Sequence, residues 1–267
     1  MQNGLQGHRA RKRFGQNFLH DEHWIGRIIA AIAPQEDDAI VEIGPGQAAL
    51  TRKIIEAIGH ETAVEIDRDL AAWLKETFAE KLTLIEADAL KLDWQTVLPG
   101  QKLRIIGNLP YNISSPLLFH LTAVADRVID QHFMLQKEVV DRMVADPGSK
   151  VYGRLSVMLQ YRYRLQKMFD VPPGAFTPAP KVTSSIVRMV PKASETLLPV
   201  DNERFAGIVA AAFNQRRKTL RNALSDWLTQ EDIEAAGVNP SARAESLPVE
   251  AFVRLANTAS HVTTDAA

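Results

Sequence analysis

An amide, a proline and a phenol follow one another at Asn108-Leu109-Pro110-Tyr111, directly after the apolar run Leu103-Arg104-Ile105-Ile106-Gly107. That run reads as a buried strand, and open α/β sheets place their chemistry at the carboxyl ends of parallel strands. Pro110 biases Leu109 towards an extended backbone and has no N–H, so carbonyls here can face a ligand. The combination suits methylation of an exocyclic amine such as that of adenine. The lone pair of such an amine is delocalised into the ring, which makes the nitrogen a poor nucleophile. An Asn side-chain oxygen and a backbone carbonyl accepting its two N–H bonds would favour a more pyramidal nitrogen. A stacked tyrosine would fix the ring, as in base-reading pockets. The tetrapeptide holds no acid or base suited to hydride transfer.

A second group of residues suits an adenosine cofactor. Gly44-Pro45-Gly46-Gln47-Ala48-Ala49 fits the loose pattern G-x-G-x-x-G/A, and Glu65 follows Gly44 by 21 residues at the end of the next strand. Glycine at such a turn lets backbone approach a ligand, and a carboxylate there can accept both ribose hydroxyls. Asp88, ending a third strand, is placed to meet an adenine edge. NAD competes for these same features. As local structure alone, the glycines could serve only a tight turn, and the two carboxylates could be helix-start residues. With S-adenosylmethionine as donor, in-line displacement needs positioning more than an acid or a metal.

The elements that would carry these residues follow from hydrophobic patterning. Strands are expected at 39–43, 62–66, 82–86, 103–107, 129–135, 161–169 and 184–190, with helices between most of them. Such βα alternation followed by a long hairpin implies a Rossmann-like, doubly wound seven-stranded sheet with one antiparallel strand at its end. The expected organisation is a sheet domain over 1–190 with a basic N-terminal arm at 1–14, a proline-bearing linker at 191–200, and a small all-helical domain at 201–258. Residues beyond about 259 read as a disordered tail.

The chain has 267 residues, 46% hydrophobic and 24% charged, which is ordinary for a globular protein with a buried core. The absence of cysteine excludes disulfides, thiolate metal sites and cysteine nucleophiles. His20 and His23 lack a third ligand at useful spacing, so no metal is expected. No apolar run approaches the roughly 20 residues of a membrane span, and no secretory signal follows the basic N-terminus. A cytoplasmic, monomeric protein away from membranes is the expectation. The net charge of −1 hides clustering: Arg9, Arg11, Lys12 and Arg13 form one basic knot, and Arg216, Arg217, Lys218 and Arg221 another. A third stretch mixes Arg154, Arg162 and Arg164 with Tyr152, Tyr161 and Tyr163. For an RNA binder the local footprint counts more than the sum, although any one cluster could be a solvated face.

Five stretches together resemble the ribosomal RNA adenine dimethyltransferases, and within them the bacterial small-subunit branch linked to kasugamycin sensitivity. They are Arg11-Lys12-Arg13-Phe14-Gly15-Gln16-Asn17-Phe18-Leu19, Val41-Glu42-Ile43-Gly44-Pro45-Gly46, Asn108-Leu109-Pro110-Tyr111-Asn112-Ile113-Ser114, Ala175-Phe176-Thr177-Pro178-Ala179-Pro180-Lys181-Val182 and Phe213-Asn214-Gln215-Arg216-Arg217-Lys218-Thr219-Leu220-Arg221. The resemblance spans nearly the whole chain, and it implies an S-adenosylmethionine-dependent enzyme. The implied reaction is dimethylation at N6 of two adjacent adenosines in a hairpin loop near the 3′ end of 16S rRNA, within an assembling small subunit. By motif position, Asn17, Leu19, Gly44, Glu65, Asp88 and Asn108 would lie around the cofactor. Asn108, Leu109 and Tyr111 would hold the target base, and Phe176 would cap its other face. Arg11, Lys12, Arg13, Arg216, Arg217, Lys218 and Arg221 would contact RNA. Two departures from related enzymes stand out: Ala48 where many methyltransferases carry glycine, and Leu109 where amino-methylating DNA enzymes carry proline. The alternatives are a large-subunit rRNA methyltransferase that confers antibiotic resistance, a mainly non-catalytic assembly factor, and an NAD-dependent oxidoreductase. Phe176 could also be a loop anchor packed on the helical domain, and Tyr111 a core residue with a wet hydroxyl.

Overall fold

The computed structural model describes residues 16–259 apart from Arg216. Arg11, Lys12, Arg13 and Arg216 therefore lie outside the described residues, as do the expected arm and tail. Packing divides the chain into two units. One comprises residues up to Val140 with Leu165–Pro191, the other Asp141–Arg164 with the chain from Lys192 onward.

In the first unit the elements run β1 (Phe18–Leu19), α1 (Glu22–Ile32), β2 (Ala39–Ile43), α2 (Ala49–Ile58), β3 (Glu61–Glu65), α3 (Arg68–Phe78), β4 (Leu82–Glu86), β5 (Leu103–Asn108), α4 (Ser114–Leu121) and β6 (Val128–Gln136). After α5 (Lys137–Met143) and α6 (Arg154–Arg162) come β7 (Tyr163–Val171), β8 (Phe176–Thr177) and β9 (Ser184–Pro191). The seven-stranded sheet has the order β4-β3-β2-β5-β6-β9-β7. Pairing is parallel from β4 through β6, while β9 runs antiparallel to β6. The antiparallel strand is thus not at the end of the sheet, as the sequence suggested; β7 occupies the edge beyond it. Hydrophobic pattern marks both strands but carries no information about which of them reaches β6. The path through the sheet reverses between β2 and β5, and that switch point opens the crevice in which α/β sheets bind ligands.

Two features anchor the start of this unit. Asp21 caps α1, its Oδ1 accepting from His23 N at 2.9 Å and Trp24 N at 3.4 Å, a cap worth about 1 kcal/mol. At the other end of α1, Arg104 of β5 donates to the Ile32 carbonyl at 2.6 Å while pairing with Asp38 at 2.6 Å and Asp130 at 2.9 Å. Burial works against the guanidinium charge, but the two carboxylates more than offset it and raise its pKa. A second, two-stranded sheet joins β1 to β8, with Phe18 opposite Thr177 and Leu19 opposite Phe176. Elements of two residues have no readable period, so this pairing was not visible in the sequence.

The second unit is helical: α6, α7 (Asn202–Asn214), α8 (Leu220–Ala223), α9 (Gln230–Ala235) and α10 (Val249–Asn257). Its core holds Tyr152, Val157, Phe205, Ile208, Leu224, Leu228 and Phe252. The segment 141–164, read from the sequence as part of the sheet domain, packs here because α6 turns Val157 into this core. An apolar helix face declares that it will be buried, not against what. The aromatics of the Lys150–Lys167 stretch are also not a stacking surface. Tyr152 and Tyr163 are buried, Tyr152 Oη donates to the Leu247 carbonyl at 2.9 Å, and Tyr161 packs on Phe205 at 4.9 Å. No helix among the described residues is long and apolar enough to cross a membrane.

Candidate active site

The carboxyl ends of β2, β3, β4 and β5, together with β1, enclose a cavity of about 320 Å³. Among its lining residues are Asn17, Leu19, Gly44, Glu65, Asp88, Asn108, Leu109 and Tyr111. Eight positions spread along the chain from Asn17 to Tyr111 thus meet at the switch point. Phe176 does not line the cavity. It is 3% exposed and packs with Leu19, Ile25, Ile28, Met134 and Ile186, because β8 pairs with β1 and directs this ring into the core. The ring thus sits in the core of the first unit, beside Leu19 and outside the lining of the cavity.

Close backbone approach builds the floor. Gly44 and Gly46 adopt φ of 68° and 56°, and a Cβ on Gly46 would meet the Phe18 ring at 3.1 Å. Ala48 has φ of 63° at the N-cap of α2, a left-handed position that favours glycine. A Cβ on Gly107 would lie 2.6 Å from the Ile43 carbonyl oxygen, so this glycine allows β5 and β2 to carry Asn108 and Gly44 side by side.

The polar groups are held in defined orientations. Glu65 accepts from Asp67 N at 2.8 Å and Gly46 N at 3.3 Å; burial raises its pKa, and these backbone bonds hold it back. Asp88 accepts from Leu90 N at 3.0 Å. Asn108 Nδ2 donates to the Asn17 carbonyl at 2.9 Å, and its Oδ1 has no hydrogen-bond partner among the described residues. Tyr111 Oη lies 2.8 Å from Ser184 Oγ, and burial raises the phenol pKa, so the ring is neutral and no proton acceptor.

Glu42 also lines the cavity and was missed in the sequence, although a carboxylate inside the apolar strand Ala39-Ile40-Val41-Glu42-Ile43 is itself a signal. It is fully buried and accepts from Thr51 Oγ1 at 2.5 Å. Burial raises its pKa to about 7; the Thr51 bond opposes the shift, and the charge of Glu65 adds to it. Three carboxyl groups, those of Glu42, Glu65 and Asp88, therefore face a cavity lined, among the described residues, by no lysine or arginine. Such a wall suits a cationic ligand and repels a pyrophosphate. Gly46 N is bonded to Glu65 and Ala48 N to the Pro45 carbonyl at 2.8 Å, so these N–H groups are not offered to phosphate either. The donor set fits S-adenosylmethionine, which carries positive charge and no phosphate, and disfavours NAD.

Among the basic residues assigned to RNA, Arg217, Lys218 and Arg221 are exposed in the helical unit. None of the three has an ion-pair partner among the described residues.

Comparisons with known proteins identify the family. Residues 7–261 match the family described as ribosomal RNA adenine dimethylase. The Ribosomal RNA small subunit methyltransferase A of Aromatoleum aromaticum is 59% identical over 254 residues, covering 95% of each chain. Its namesake from Bordetella pertussis is 56% identical over 254 residues with the same coverage. Among solved structures, a dimethyladenosine transferase from Plasmodium falciparum superposes with a TM-score of 0.74 at 26% identity, covering 89% of this chain and 95% of that one. The 23S rRNA methyltransferase ErmE gives a TM-score of 0.70 at 27% identity, covering 90% and 98%.

Proposed function

The chain belongs to the ribosomal RNA adenine dimethylase family, as an S-adenosylmethionine-dependent methyltransferase of small-subunit rRNA, and we propose that it dimethylates N6 of two adjacent adenosines in the 3′-terminal hairpin loop of 16S rRNA. The substrate is the assembling small subunit, and the enzyme works in the cytoplasm as a monomer. The observation that carries this reading is the hydrogen bond from Asn108 Nδ2 to the Asn17 carbonyl. It fixes which way the Asn108 amide faces and leaves Oδ1 available as an acceptor, which is what a target amine N–H requires.

The cofactor supplies a methyl group on a positively charged sulfur that leaves as a neutral thioether. The chain contributes orientation. Glu65 meets the ribose hydroxyls, Asp88 the adenine edge, and Gly44 with Leu19 shapes the contact surface. Asn108 Oδ1 and a carbonyl of the Leu109-Pro110 stretch accept from the target amine, and Tyr111 stacks on its ring. As the nitrogen donates its lone pair to the methyl carbon, these acceptors favour its pyramidal form, and its proton passes to water afterwards. No described residue in the cavity needs to act as a base. Arg217, Lys218 and Arg221, with Arg11, Lys12, Arg13 and Arg216, supply phosphate contacts that position the RNA and leave base choice to the pocket.

A large-subunit enzyme shares this fold, as ErmE illustrates, so fold alone does not choose the substrate. The relatives above 50% identity support the small subunit. The deciding experiment offers labelled methyl donor to small and large subunits isolated from cells lacking the modification, with the labelled nucleotides mapped by mass spectrometry. Two dimethylated adenosines in the 3′-terminal hairpin are expected. Label confined to the large subunit, or elsewhere in 16S rRNA, would overturn the proposal.

A further inference from the structure

Both groups assigned to the target base are held by one stretch of chain that does not line the cavity. On one side, Tyr111 Oη meets Ser184 Oγ at 2.8 Å, and Ser184 is fully buried at the start of β9. Ser184 stands opposite Gln136 in the β6–β9 ladder, so its hydroxyl projects from a rigid strand. The Tyr111 backbone is fixed independently, its carbonyl accepting from Ser114 Oγ at 3.1 Å. With both ends tied, the ring has little freedom to turn. On the other side, β8 pairs with β1, and His20 N donates to the Ala175 carbonyl at 3.0 Å. Asn17, beside that pairing, presents the carbonyl that orients Asn108.

We propose that Ser184 is a positioning residue for methyl transfer, its hydroxyl holding the Tyr111 ring at the angle at which it receives the base. The same segment, 175–184, holds Asn17 against Asn108 through β8, so one connection aligns both walls of the base site. The inference rests on the assignment of Asn108 and Tyr111 to the target adenine. It explains why a chain segment distant from the cofactor turn belongs to the catalytic design: a half-buried phenol on the turn after Pro110 would otherwise swing towards solvent.

The test is a double-mutant cycle read by single-turnover methylation of unmodified small subunits. Ser184→Ala is expected to slow transfer roughly three- to tenfold, the effect of one neutral hydrogen bond. Affinities for S-adenosylmethionine and for the subunit should stay unchanged. Tyr111→Phe removes the other half of the same bond and should give the same loss, and the double variant should lose no more than either. Additive losses, or wild-type transfer in Ser184→Ala, would overturn the proposal. If Ser184→Ala fails to fold, Tyr111→Phe decides alone, a wild-type rate counting against it. A wild-type enzyme that methylates no small subunit would refute the underlying reading instead, and that outcome is seen before any variant is made.

Discussion

Asn108 of β5 and Asn17 beside β1 are 91 residues apart in the chain, yet the side chain of the first donates to the carbonyl of the second at 2.9 Å. A carbonyl oxygen can only accept, so this contact decides which way the amide faces. Replacing Asn108 with alanine removes the acceptor proposed for the target amine. Methyl transfer should fall by about 10²–10³, the range for losing one preorganised polar group at a reacting centre. Subunit binding, measured by sedimentation, should be largely unaffected. Asn108→Asp should be nearly as damaging, because a carboxylate oxygen would then oppose the Asn17 carbonyl.

Gly107→Ala tests the approach of β5 to β2. The added Cβ would stand 2.6 Å from the Ile43 carbonyl oxygen, where only backbone movement relieves the clash. A loss of about 1–3 kcal/mol in stability is expected for such overpacking, with a drop in cofactor affinity as the strand ends separate. Denaturant unfolding and calorimetry would check the two effects together; wild-type values for both would contradict the packing argument.

Glu42 should make cofactor binding depend on pH. Its pKa is raised from 4.5 to about 7, mainly by burial. In the ligand-free protein, the protonated form contributes stability that is complete below pH 4.5 and is lost as pH rises through 7. That loss amounts to about 3 kcal/mol. A cationic ligand favours the ionised form, so affinity for S-adenosylmethionine should climb between pH 6 and 7, by at most about tenfold for one proton. Calorimetry in buffers of different ionisation enthalpy should register proton release, and Glu42→Gln should abolish both the release and the slope.

Acid acts on a different residue. Burial holds the His132 ring near pKa 4, against the attraction of Asp130. Unfolded histidine titrates near 6.5, so between those values the unfolded chain binds a proton that the folded chain refuses. The resulting stability is full above pH 6.5 and declines by about 3 kcal/mol as pH falls to 4. Unfolding curves at pH 7 and 4.5 should converge for His132→Leu relative to wild type, once the shared carboxylate dependence is subtracted.

Charge reversal at Arg217 and Lys218 probes the proposed RNA contact. Both side chains are exposed without an ion-pair partner among the described residues. The double variant should bind small subunits more weakly and shrink the slope of log affinity against log salt by about 1.5–2, reflecting two phosphates. Cofactor affinity should not move. An unchanged salt slope would remove these residues from the interface.

The sequence by itself determined the local chemistry and the element types. Buried parallel strands read as apolar runs, glycines mark the turn after β2, and a polar group at each strand end stands out against that background. Gly44, Glu65, Asp88 and Asn108 were legible for that reason, as was the βα alternation that implies a switch-point cleft. Tertiary structure alone decided what those residues face. The pairing of β1 with β8, two residues each, draws Phe176 into the core and brings the Asn17 carbonyl to Asn108. Strand order placed β9 inside the sheet and so put Ser184 under Tyr111. The helix α6 joined the C-terminal helices because an apolar face specifies burial but not a partner. Hydrophobic periodicity records which side of an element turns inward; the partner waiting there is set by contacts between distant segments, which no local window of residues contains.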